Sequence, residues 1–520
     1  MSSATHTDDA EPSQVDVIVV GAGLSGIGAA CQYRQAFPGL TIAVLEERDA
    51  IGGTWDLFRY PGVRSDSDMS TLGYSFRPFG LGLDDPPTIA DGALIRDYIQ
   101  DTAREFGVDR AVRFGHRVVR ADWDSTTARW TVTTQTGGDD GLRTVTLTAR
   151  WLSACAGYYD TGHGHRPAFP GAETFTGLWA DPQRWPEDLD WTGKRVVVIG
   201  SGATAVSIVP ALADRAARVT MLQRTPSDVL AIPRGDDLAR RLRRVLPVRA
   251  AARVVRARNA LVALGFHQFA RRLPTRARRF IQAGARRSLP PSVDVDVHFS
   301  PPYAPWDQRV CFVPDGDLFR ALSGERAEIV TDHIDRITAD GLRLRSGRHL
   351  PADVIVPATG LQVRLLGGLR LHVDGAPIEP QDTVVYKGTM LSGVPNFNQV
   401  VGYPNASWTL KADLASGFVV RVLRGLDQRH ADWAVPDRPA AADVSDRPLL
   451  DLQSGYIRRA AGTMPRQGRR GPWRMHDNWL RDVVLLRWRP VTDTGLRFGR
   501  RPAHPSDDRR PAPTTGALTA

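Results

Sequence analysis

Near its N-terminus the chain reads Val15-Asp16-Val17-Ile18-Val19-Val20-Gly21-Ala22-Gly23-Leu24-Ser25-Gly26, a run that indicates an α/β architecture. Apolar β-branched residues end in a glycine-rich turn, and small apolar residues continue beyond it in a helical pattern. The glycines let the backbone turn tightly and approach a pyrophosphate, which the N-terminus of the following helix attracts through its free N–H groups. The run therefore predicts a strand, a turn and a helix that bind a dinucleotide.

A second predicted strand, residues 41–45, ends at Glu46, about 20 residues beyond Gly26. An acid at this distance is expected to accept hydrogen bonds from the ribose hydroxyls. A glycine turn that merely ends a buried strand does not require such an acid. The two strands and the acid together favour dinucleotide binding.

A second complete fingerprint begins with the apolar residues 195–199 and continues as Gly200-Ser201-Gly202-Ala203-Thr204-Ala205. The strand after it ends in Gln223-Arg224, where the first unit has Glu46. A carboxylate would repel a 2′-phosphate, whereas an arginine can pair with it. The second site is therefore predicted to prefer NADPH to NADH.

These features predict an α/β protein with two Rossmann-like dinucleotide-binding domains, the second inserted in the first, and a helical insert. The predicted boundaries are disordered tails at 1–14 and 501–520, a first dinucleotide-binding domain at 15–165 and 381–500, an NADPH-binding domain at 166–230 and 301–380, and a helical insert at 231–300.

Residues 51–66 follow the ribose acid and are rich in glycine, with Pro61 among them. This composition forbids a long helix and predicts an extended loop along the far half of the first cofactor, with Asp66 near its redox end. Two histidines at 163 and 165 alternate with glycines, and no cysteine or carboxylate cluster accompanies them. We interpret them as a solvated turn, so that no metal site is predicted.

The net charge is +10, and residues 238–293 contain many arginines but no Asp or Glu. Helical spacing and the prolines at 247, 274, 290 and 291 predict several short helices there. Lysine occurs only at positions 194, 387 and 411, so the preference for arginine runs through the whole chain. These patterns favour a solvated insert over contact with anionic lipid or an acidic partner, and no nucleic-acid partner is expected.

The cysteines are Cys31, Cys155 and Cys311, a scattered odd number that suits a reducing cytoplasm better than a disulfide framework. Residues 1–14 are polar and acidic, without the pattern of a signal peptide. No apolar run reaches about 18 residues, so a spanning helix is not expected. The predicted location is cytoplasmic.

With these residues in view, the chain resembles the class B flavoprotein monooxygenases, which include Baeyer-Villiger and flavin-containing monooxygenases. It is most similar to the ethionamide-activating type of Baeyer-Villiger enzyme, over about residues 15–500. The most specific matches are GGTWDLFRYPGVRSDSDM at 52–69, VVVIGSGATAV at 196–206, LQRTP at 222–226 and PPYAPWDQRVCFVPDGDLF at 301–319. The family fingerprint FxGxxxHxxxW followed by Pro matches at Phe175, Gly177, Trp185 and Pro186, but Asp181 stands where the family has His.

The resemblance implies two cofactors and a catalytic pair, and it makes the first dinucleotide-binding domain, 15–165 and 381–500, an FAD-binding domain. The positions implied for FAD are Gly21, Gly23, Ser25, Gly26, Glu46, Thr54, Trp55, Asp56, Leu57, Arg64, Ser65, Asp66 and Val118. The positions implied for NADPH are Gly200, Ser201, Gly202, Ala203, Thr204, Ala205, Val206, Gln223 and Arg224. Arg309 matches the family arginine that stabilises the adduct of ketone and C4a-peroxyflavin, and Asp66 matches the carboxylate that positions it.

The implied function is an NADPH-consuming monooxygenase that inserts one oxygen atom from O2 into a small-molecule ketone. Asp181 leaves open a second function, oxygenation of sulfur or nitrogen, and a third alternative is a flavin-binding oxidase or pseudoenzyme without oxygen transfer. Pyridine-nucleotide disulfide reductases share the two-nucleotide architecture but need a redox cysteine pair after the first unit. None follows here, because the next cysteine after Cys31 is Cys155.

Overall fold

The computed structural model describes residues 13–138, 141–450, 452–492 and 494–502. The predicted tails at 1–14 and 501–520 lie almost wholly outside the described residues. Of the first tail, residues 13–14 are described, and Gln14 already belongs to the first strand.

The strands of the described residues, in chain order, are β1 Gln14–Val20, β2 Ile42–Leu45, β3 Val112–Arg113, β4 Arg117–Asp124, β5 Arg129–Gly138, β6 Gly141–Ala154, β7 Leu178–Trp179, β8 Arg195–Ile199, β9 Arg218–Gln223, β10 Val229–Ile232, β11 Cys311–Pro314, β12 Ala327–Thr331, β13 Ile334–Thr338, β14 Gly341–Leu344, β15 His349–Pro351, β16 Val354–Val356, β17 Arg370–Val373, β18 Ala376–Ile378, β19 Val385–Tyr386, β20 Met390–Leu391, β21 Phe397–Gln399, β22 Trp433–Pro436, β23 Val444–Pro448, β24 Arg466–Gly468 and β25 Leu496–Gly499.

The α-helices are α1 Leu24–Ala36, α2 Thr54–Leu57, α3 Met69–Leu72, α4 Gly92–Glu105, α5 Ala203–Ala213, α6 Asp237–Val245, α7 Val248–Arg272, α8 Pro274–Ser288, α9 Val295–His298, α10 Asp317–Ser323, α11 Trp408–Gln428, α12 Gly455–Ala460 and α13 Trp479–Val483.

The first sheet is mixed and comprises nine strands among the described residues. Its order is β18-β17-β4-β5-β6-β1-β2-β3, and β21 pairs with β6. Strands β2 and β6 flank β1 in parallel, whereas β5 runs antiparallel to both of its neighbours, β4 and β6. Helices α1 and α11 pack against each other in the apolar core beside this sheet. The predicted strand, glycine turn and helix are therefore present at residues 14–36.

The second sheet is entirely parallel, with the order β12-β9-β8-β16-β7. The second glycine turn joins β8 to α5, which is buried along most of its length. The mixed α/β architecture with two Rossmann-like regions and a helical insert is thus confirmed. The strands of a parallel sheet leave their carboxyl ends on one edge, where such folds bind nucleotides.

The structure differs from the sequence prediction at residues 370–378. The predicted boundary places them in the NADPH-binding domain, but β17 pairs in parallel with β4 and β18 continues the first sheet. Backbone pairing with a strand about 250 residues earlier in the chain has no local sequence signal. The first sheet therefore recruits this segment before the chain reaches residue 381.

The helical insert contains one helix longer than predicted. Pro247 and Pro274 separate α6, α7 and α8, as the prolines predict, but α7 runs for 25 residues without a break. Gly265 lies within α7, where a single glycine lowers helix stability only modestly. The prediction of only short helices is wrong for this middle segment. None of the helices among the described residues is long and apolar enough to cross a membrane.

The first glycine turn is packed backbone against backbone. A Cβ added to Gly26 would lie 1.8 Å from the carbonyl oxygen of Gly21, and Gly21 itself has φ +98°. Helix α1 can therefore approach β1 this closely only with glycine at position 26.

We expect Gly26→Ala to lower the free energy of unfolding by about 1–3 kcal/mol or more, because the added methyl group collides with backbone that cannot move away. Denaturant unfolding measures this change, and flavin absorbance measures the accompanying loss of FAD. The matched control is Gly39→Ala, since a Cβ there would meet no atom within 4 Å. Equal stabilities for the two variants would contradict the packing argument.

Candidate active site

One cavity reaches from the first glycine turn to the loop that carries Arg309. The predicted site residues in its lining are Gly21, Gly23, Ser25, Glu46, Thr54, Trp55, Leu57, Arg64, Ser65, Asp66, Val118, Ala203, Thr204, Val206 and Arg309. The predicted residues outside its lining are Gly26, Asp56, Gly200, Ser201, Gly202, Ala205, Gln223 and Arg224. The cavity thus contacts both glycine-rich units but contains only part of the second one.

The first unit has the geometry of a dinucleotide cradle. Glu46 is buried, and its Oε2 accepts a hydrogen bond from the backbone N–H of Ala22 at 2.7 Å. Its Oε1 accepts from the N–H of Arg48 at 3.1 Å. An ionised carboxylate offers about four acceptor positions, so Glu46 retains capacity for a ribose hydroxyl. These residues fit the adenosine half of FAD.

The side chain of Asp56 is engaged by two arginines and does not line the cavity. It is buried and pairs with Arg48 at 2.9 Å and with Arg59 at 3.2 Å. Arg48 also donates to the carbonyl oxygen of Gly53 at 2.9 Å. Asp56 therefore holds the loop that follows Glu46, and its contact with a cofactor stays a prediction.

The second unit leaves open space at its glycine turn. Gly200 has φ +147°, and a Cβ there would lie 2.2 Å from the carbonyl oxygen of Ala358. A Cβ on Gly202, by contrast, would meet no atom within 4 Å. The open space lies before the N-terminus of α5, where free N–H groups attract phosphate. The geometry fits the pyrophosphate of NADPH.

Gln223 and Arg224 face opposite ways. Gln223 is buried, and its Nε2 donates to the carbonyl oxygen of His298 at 2.8 Å and to Thr331 Oγ1 at 2.9 Å. Arg224 is exposed. The side chain of Gln223 is thus engaged inside the fold, and Arg224 is the member of the pair that a 2′-phosphate can reach.

Two arginine–aspartate pairs join the loop after Gly62 to the segment around β11. Arg309 Nη1 donates to Asp66 Oδ2 at 2.7 Å, and both side chains line the cavity with about a third of their surface exposed, 31% and 34%. Arg64 pairs with Asp317 at the start of α10, and its Nη2 to Asp317 Oδ1 distance is 3.2 Å. Arg64 therefore lies in the cavity wall with its charge already paired.

The charge of Arg309 persists in this setting. Burial disfavours the charged guanidinium, but the Asp66 carboxylate and the nearby tyrosine hydroxyl groups together outweigh it, and the pKa of Arg309 is raised well above its ordinary value. Its Nε has no hydrogen-bond partner among the described residues. A guanidinium has five N–H donors, so Arg309 can hold Asp66 and still donate to an oxygen in the cavity.

A cluster of three tyrosines beside Arg309 was not predicted from the sequence. Tyr158 and Tyr159 follow β6, and their hydroxyl groups are 3.0 Å apart. The ring of Tyr456 contacts that of Tyr159, with centroids 6.4 Å apart. Burial raises the pKa of all three hydroxyls, so they stay neutral and can donate protons in hydrogen bonds. The sequence signal available for Tyr158 and Tyr159 was their position directly after Gly157, where the chain has left β6.

A tryptophan links this cluster to the first glycine turn. The ring of Trp408 stacks on Tyr158 with centroids 5.4 Å apart, and its Nε1 donates to Ser25 Oγ at 2.7 Å. Trp408 begins α11, which packs against α1. The wall of the cavity is therefore built from segments that lie far apart in the sequence.

The cysteines near the cavity are not suited to thiol chemistry. Cys155 and Cys311 line it, and both are buried and unpaired with another cysteine. Burial raises the pKa of Cys311 to about 12 and also raises that of Cys155. Since the thiolate is the reactive form, neither residue is an activated nucleophile.

The segment that carries Asp181 is fixed to the second sheet. Strand β7 pairs with β16, and the ring of Phe175 packs edge-on against Trp179 at 5.8 Å. Asp181 Oδ1 accepts a hydrogen bond at 2.9 Å from the N–H of Gln183, in the short turn that follows. Asp181 thus acts as an N-cap for this turn.

Comparison with known proteins agrees with this geometry. Residues 14–237 match the family model described as flavin-binding monooxygenase-like. The chain is 48% identical over 490 residues to FAD-containing monooxygenase EthA of Mycobacterium tuberculosis (strain ATCC 25618 / H37Rv), covering 94% of this chain and 98% of that protein. A steroid monooxygenase bound to NADP has a similar fold, with a TM-score of 0.75 and 24% identity over 94% of this chain and 100% of that chain. An open structure of cyclohexanone monooxygenase gives a TM-score of 0.68 and 22% identity over 81% and 90%.

Asp228 directly precedes β10, and its backbone carbonyl oxygen accepts a hydrogen bond at 2.8 Å from the N–H of Cys311 in the cavity wall. The environment of its side chain makes the stability of the protein depend on pH. Asp228 is buried, neither of its carboxylate oxygens has a hydrogen-bond partner among the described residues, and burial raises its pKa to about 6. Because the folded state binds this proton more tightly than the unfolded state, stability decreases as pH rises from about 4 to about 6 and stays lower above that range.

We expect Asp228→Asn to stabilise the protein by up to ~3 kcal/mol at about pH 8 and to have little effect at about pH 4. Denaturant unfolding across this pH range measures the difference between variant and wild type. The exposed Asp335→Asn is the control and should leave the difference near zero throughout. A difference for Asp228→Asn that does not change with pH would contradict the burial argument.

Proposed function

Since the chain belongs to the flavin-binding monooxygenase family and uses FAD and NADPH as cofactors, we propose that it inserts one oxygen atom from O2 into a ketone, giving an ester or lactone. The observation that carries this proposal is the Arg309–Asp66 pair in the wall of a cavity shared with the first glycine turn. A charged donor there is suited to an oxygen atom that gains negative charge during the reaction.

Bound FAD, once reduced by NADPH, supplies the chemistry that activates O2. The residues proposed to hold its adenosine and pyrophosphate are those at the first turn, with Glu46 on the ribose. Those at the second turn, with Arg224 on the 2′-phosphate, are proposed to hold NADPH. The side chains of the loop at 54–66 are proposed to border the flavin half of FAD and to exclude water from it.

Arg309 is proposed to stabilise the oxyanion that forms when the ketone carbonyl is attacked. In the ground state a carbonyl oxygen carries only a partial charge, whereas the adduct carries a full one, so a fixed guanidinium stabilises the adduct more. Asp66 holds the guanidinium in place through the 2.7 Å hydrogen bond. Because Asp66 fixes the Arg309 guanidinium before the substrate binds, the donor does not have to be oriented during the reaction.

The tyrosine cluster is proposed to border the substrate and to supply neutral hydrogen bonds. Tyr158 and Tyr159 line the cavity, and Tyr456 packs behind Tyr159. Since their hydroxyl groups stay protonated, they can stabilise negative charge on oxygen without adding a competing anion beside Arg309. An apolar ring with one polar end also suits a substrate that is largely apolar.

A second candidate function is oxygenation of sulfur or of amine nitrogen. The feature that leaves it open is Asp181, which stands where the family fingerprint has histidine. Such transfer develops less negative charge on a substrate oxygen and depends less on Arg309. A third candidate, NADPH oxidation without oxygen transfer, is compatible with the same cofactor sites.

The test is to purify the FAD-loaded protein and to screen ketones, sulfides and amines for coupled consumption of NADPH and O2, with identification of the products. An ester or lactone supports the proposal. Sulfoxide or N-oxide as the only product would overturn it in favour of the second candidate. NADPH oxidation that no substrate stimulates would favour the third.

We expect Arg309→Ala to reduce ester formation about 10²–10³-fold, as loss of a transition-state donor does, while the protein keeps its FAD. Arg309→Lys should recover part of the rate, because it keeps the charge but not the planar fork of donors. The rate per bound flavin under saturating NADPH is the measurement. Loss of FAD from Arg309→Ala would contradict the proposed role.

For Asp181, we expect substitution to change the rate but not the class of product, because its carboxylate contacts the turn and not the cavity. Asp181→Asn keeps an oxygen acceptor for the cap and should resemble wild type. Asp181→Ala removes the cap, which costs about 0.5–2 kcal/mol locally, and should be slower. The ratio of ester to sulfoxide, measured in an assay that contains both a ketone and a sulfide, shows whether Asp181 affects the class of product. A several-fold change in that ratio for Asp181→His would contradict a purely structural role.

A further inference from the structure

The positive charge of this protein is concentrated in one segment of the chain, residues 238–293. Residues 238–293 contain 15 arginines and no acidic residue or lysine, so the rest of the chain carries a net charge of −5 against the total of +10. The preference for arginine over lysine is general, but the excess of positive charge is local. Eight of these arginines are exposed and form no ion pair with the described residues, including Arg272, Arg276 and Arg279.

The same segment exposes large apolar side chains. Of the 19 exposed large apolar side chains among the described residues, nine lie between Leu238 and Phe280, a segment of less than a tenth of the chain. The most exposed are Val245 at 76%, Val262 at 63% and Phe280 at 51%. Scattered single apolar residues are normal on protein surfaces, but a concentration of this kind marks an interaction site.

These apolar residues join α7 to α8. The rings of Phe266 in α7 and Phe280 in α8 meet edge to face, with centroids 6.4 Å apart. Val262 precedes Phe266 by one helical turn, and Arg276 precedes Phe280 by one turn, so each lies next to a ring on the same helix face. We name the exposed side of α6, α7 and α8 the insert face. It exposes both apolar side chains and arginines.

The opposite side of the insert is fixed to the candidate active site. Arg256 pairs with Asp413 in α11 at 3.0 Å, and Asn259 donates to Asp68 at 2.8 Å, two residues after Asp66. Arg271 pairs with Asp307 at 2.8 Å, two residues before Arg309. These contacts fix Arg256, Asn259 and Arg271 to neighbouring elements, whereas eight exposed arginines of the insert form no ion pair with the described residues. The insert is therefore attached to the segments that carry Asp66 and Arg309.

The sequence alone favours a solvated insert, but the exposed apolar residues change that balance, and we propose that the insert face docks on an anionic membrane surface. Helices that lie in a membrane interface combine exposed apolar residues with Lys or Arg, and each basic residue near anionic lipid adds to the affinity. Arginine side chains can reach the phosphates while the neighbouring valine, leucine and phenylalanine side chains enter the acyl boundary. The protein then sits on the bilayer and does not span it.

Other occupants match the insert face less well. A second copy of this chain that used the same face would bring these eight exposed arginines against another eight. A nucleic acid would pair with the arginines, but single strands also use aromatic stacking, and the exposed apolar side chains are mainly aliphatic. An acidic protein matches the charge but not the concentration of valine and leucine beside it. A lipid surface matches both properties.

The experiment is co-sedimentation of the full-length, FAD-loaded protein with vesicles of phosphatidylcholine, with and without phosphatidylglycerol. We expect binding to the anionic vesicles only. Two triple variants test the two halves of the interaction, Leu261→Ser/Val262→Ser/Phe280→Ser and Arg272→Gln/Arg276→Gln/Arg279→Gln. Each should lower the partition coefficient at least about tenfold, because each removes three groups that contact the membrane.

The matched control is Arg336→Gln/Arg343→Gln/Arg345→Gln, which removes the same charge from exposed positions outside the insert. It should bind as wild type does, and thermal unfolding should show that all three variants are folded. No binding of wild type to anionic vesicles would overturn the proposal. An equal loss in the control, or an unchanged apolar variant, would also overturn it by reducing the effect to net charge. Capture of single-stranded RNA without vesicle binding would assign the face to nucleic acid instead.

Discussion

The site depends on two arginine–aspartate pairs that join the same two segments of the chain. In one pair the acid comes from the first segment, and in the other pair the arginine does. Asp66 pairs with Arg309 across 243 residues of sequence, and Arg64 pairs with Asp317 across 253. Each of the two segments supplies one acid and one arginine, so a shift of either segment leaves two charges of each sign without partners. Unpaired charges are costly where water is scarce. The Arg64 pair is the more buried, with 8% and 17% exposure, and the Arg309 pair remains open to the cavity.

The same loop also connects the two nucleotide-binding units. A Cβ on Gly62 would lie 2.3 Å from the carbonyl oxygen of Ser207 in α5, so the loop packs directly on the helix of the second fingerprint. Tyr60 belongs to the apolar core around that helix. Residues 175–186, which match the family fingerprint, lie between the two glycine-rich units in the chain. In the structure, the direct contact between the units includes Tyr60, Gly62 and Arg64, which precede Asp66 in the same loop.

What the sequence could predict was local. Glycine turns, strand ends and the acid at position 46 have fixed spacing, so the two fingerprints and the fold class followed from them. The pairing of β17 with β4, the stacking of Trp408 on Tyr158 and the approach of Tyr456 to Tyr159 depend on tertiary contacts between distant segments. Nothing in the neighbouring residues encodes such contacts. The inward hydrogen bonds of Gln223 belong to the same class, since His298 and Thr331 supply them from other elements.

The central claim is that a site built around Arg309 directs one atom of O2 into a ketone. The most direct measurement is turnover of a ketone under ¹⁸O2 in ordinary water, with mass spectrometry of the product and with NADPH consumption followed in parallel. The account predicts an ester or lactone that carries one labelled oxygen atom for each NADPH consumed. Unlabelled ketone with hydrogen peroxide formed in proportion to NADPH would contradict it.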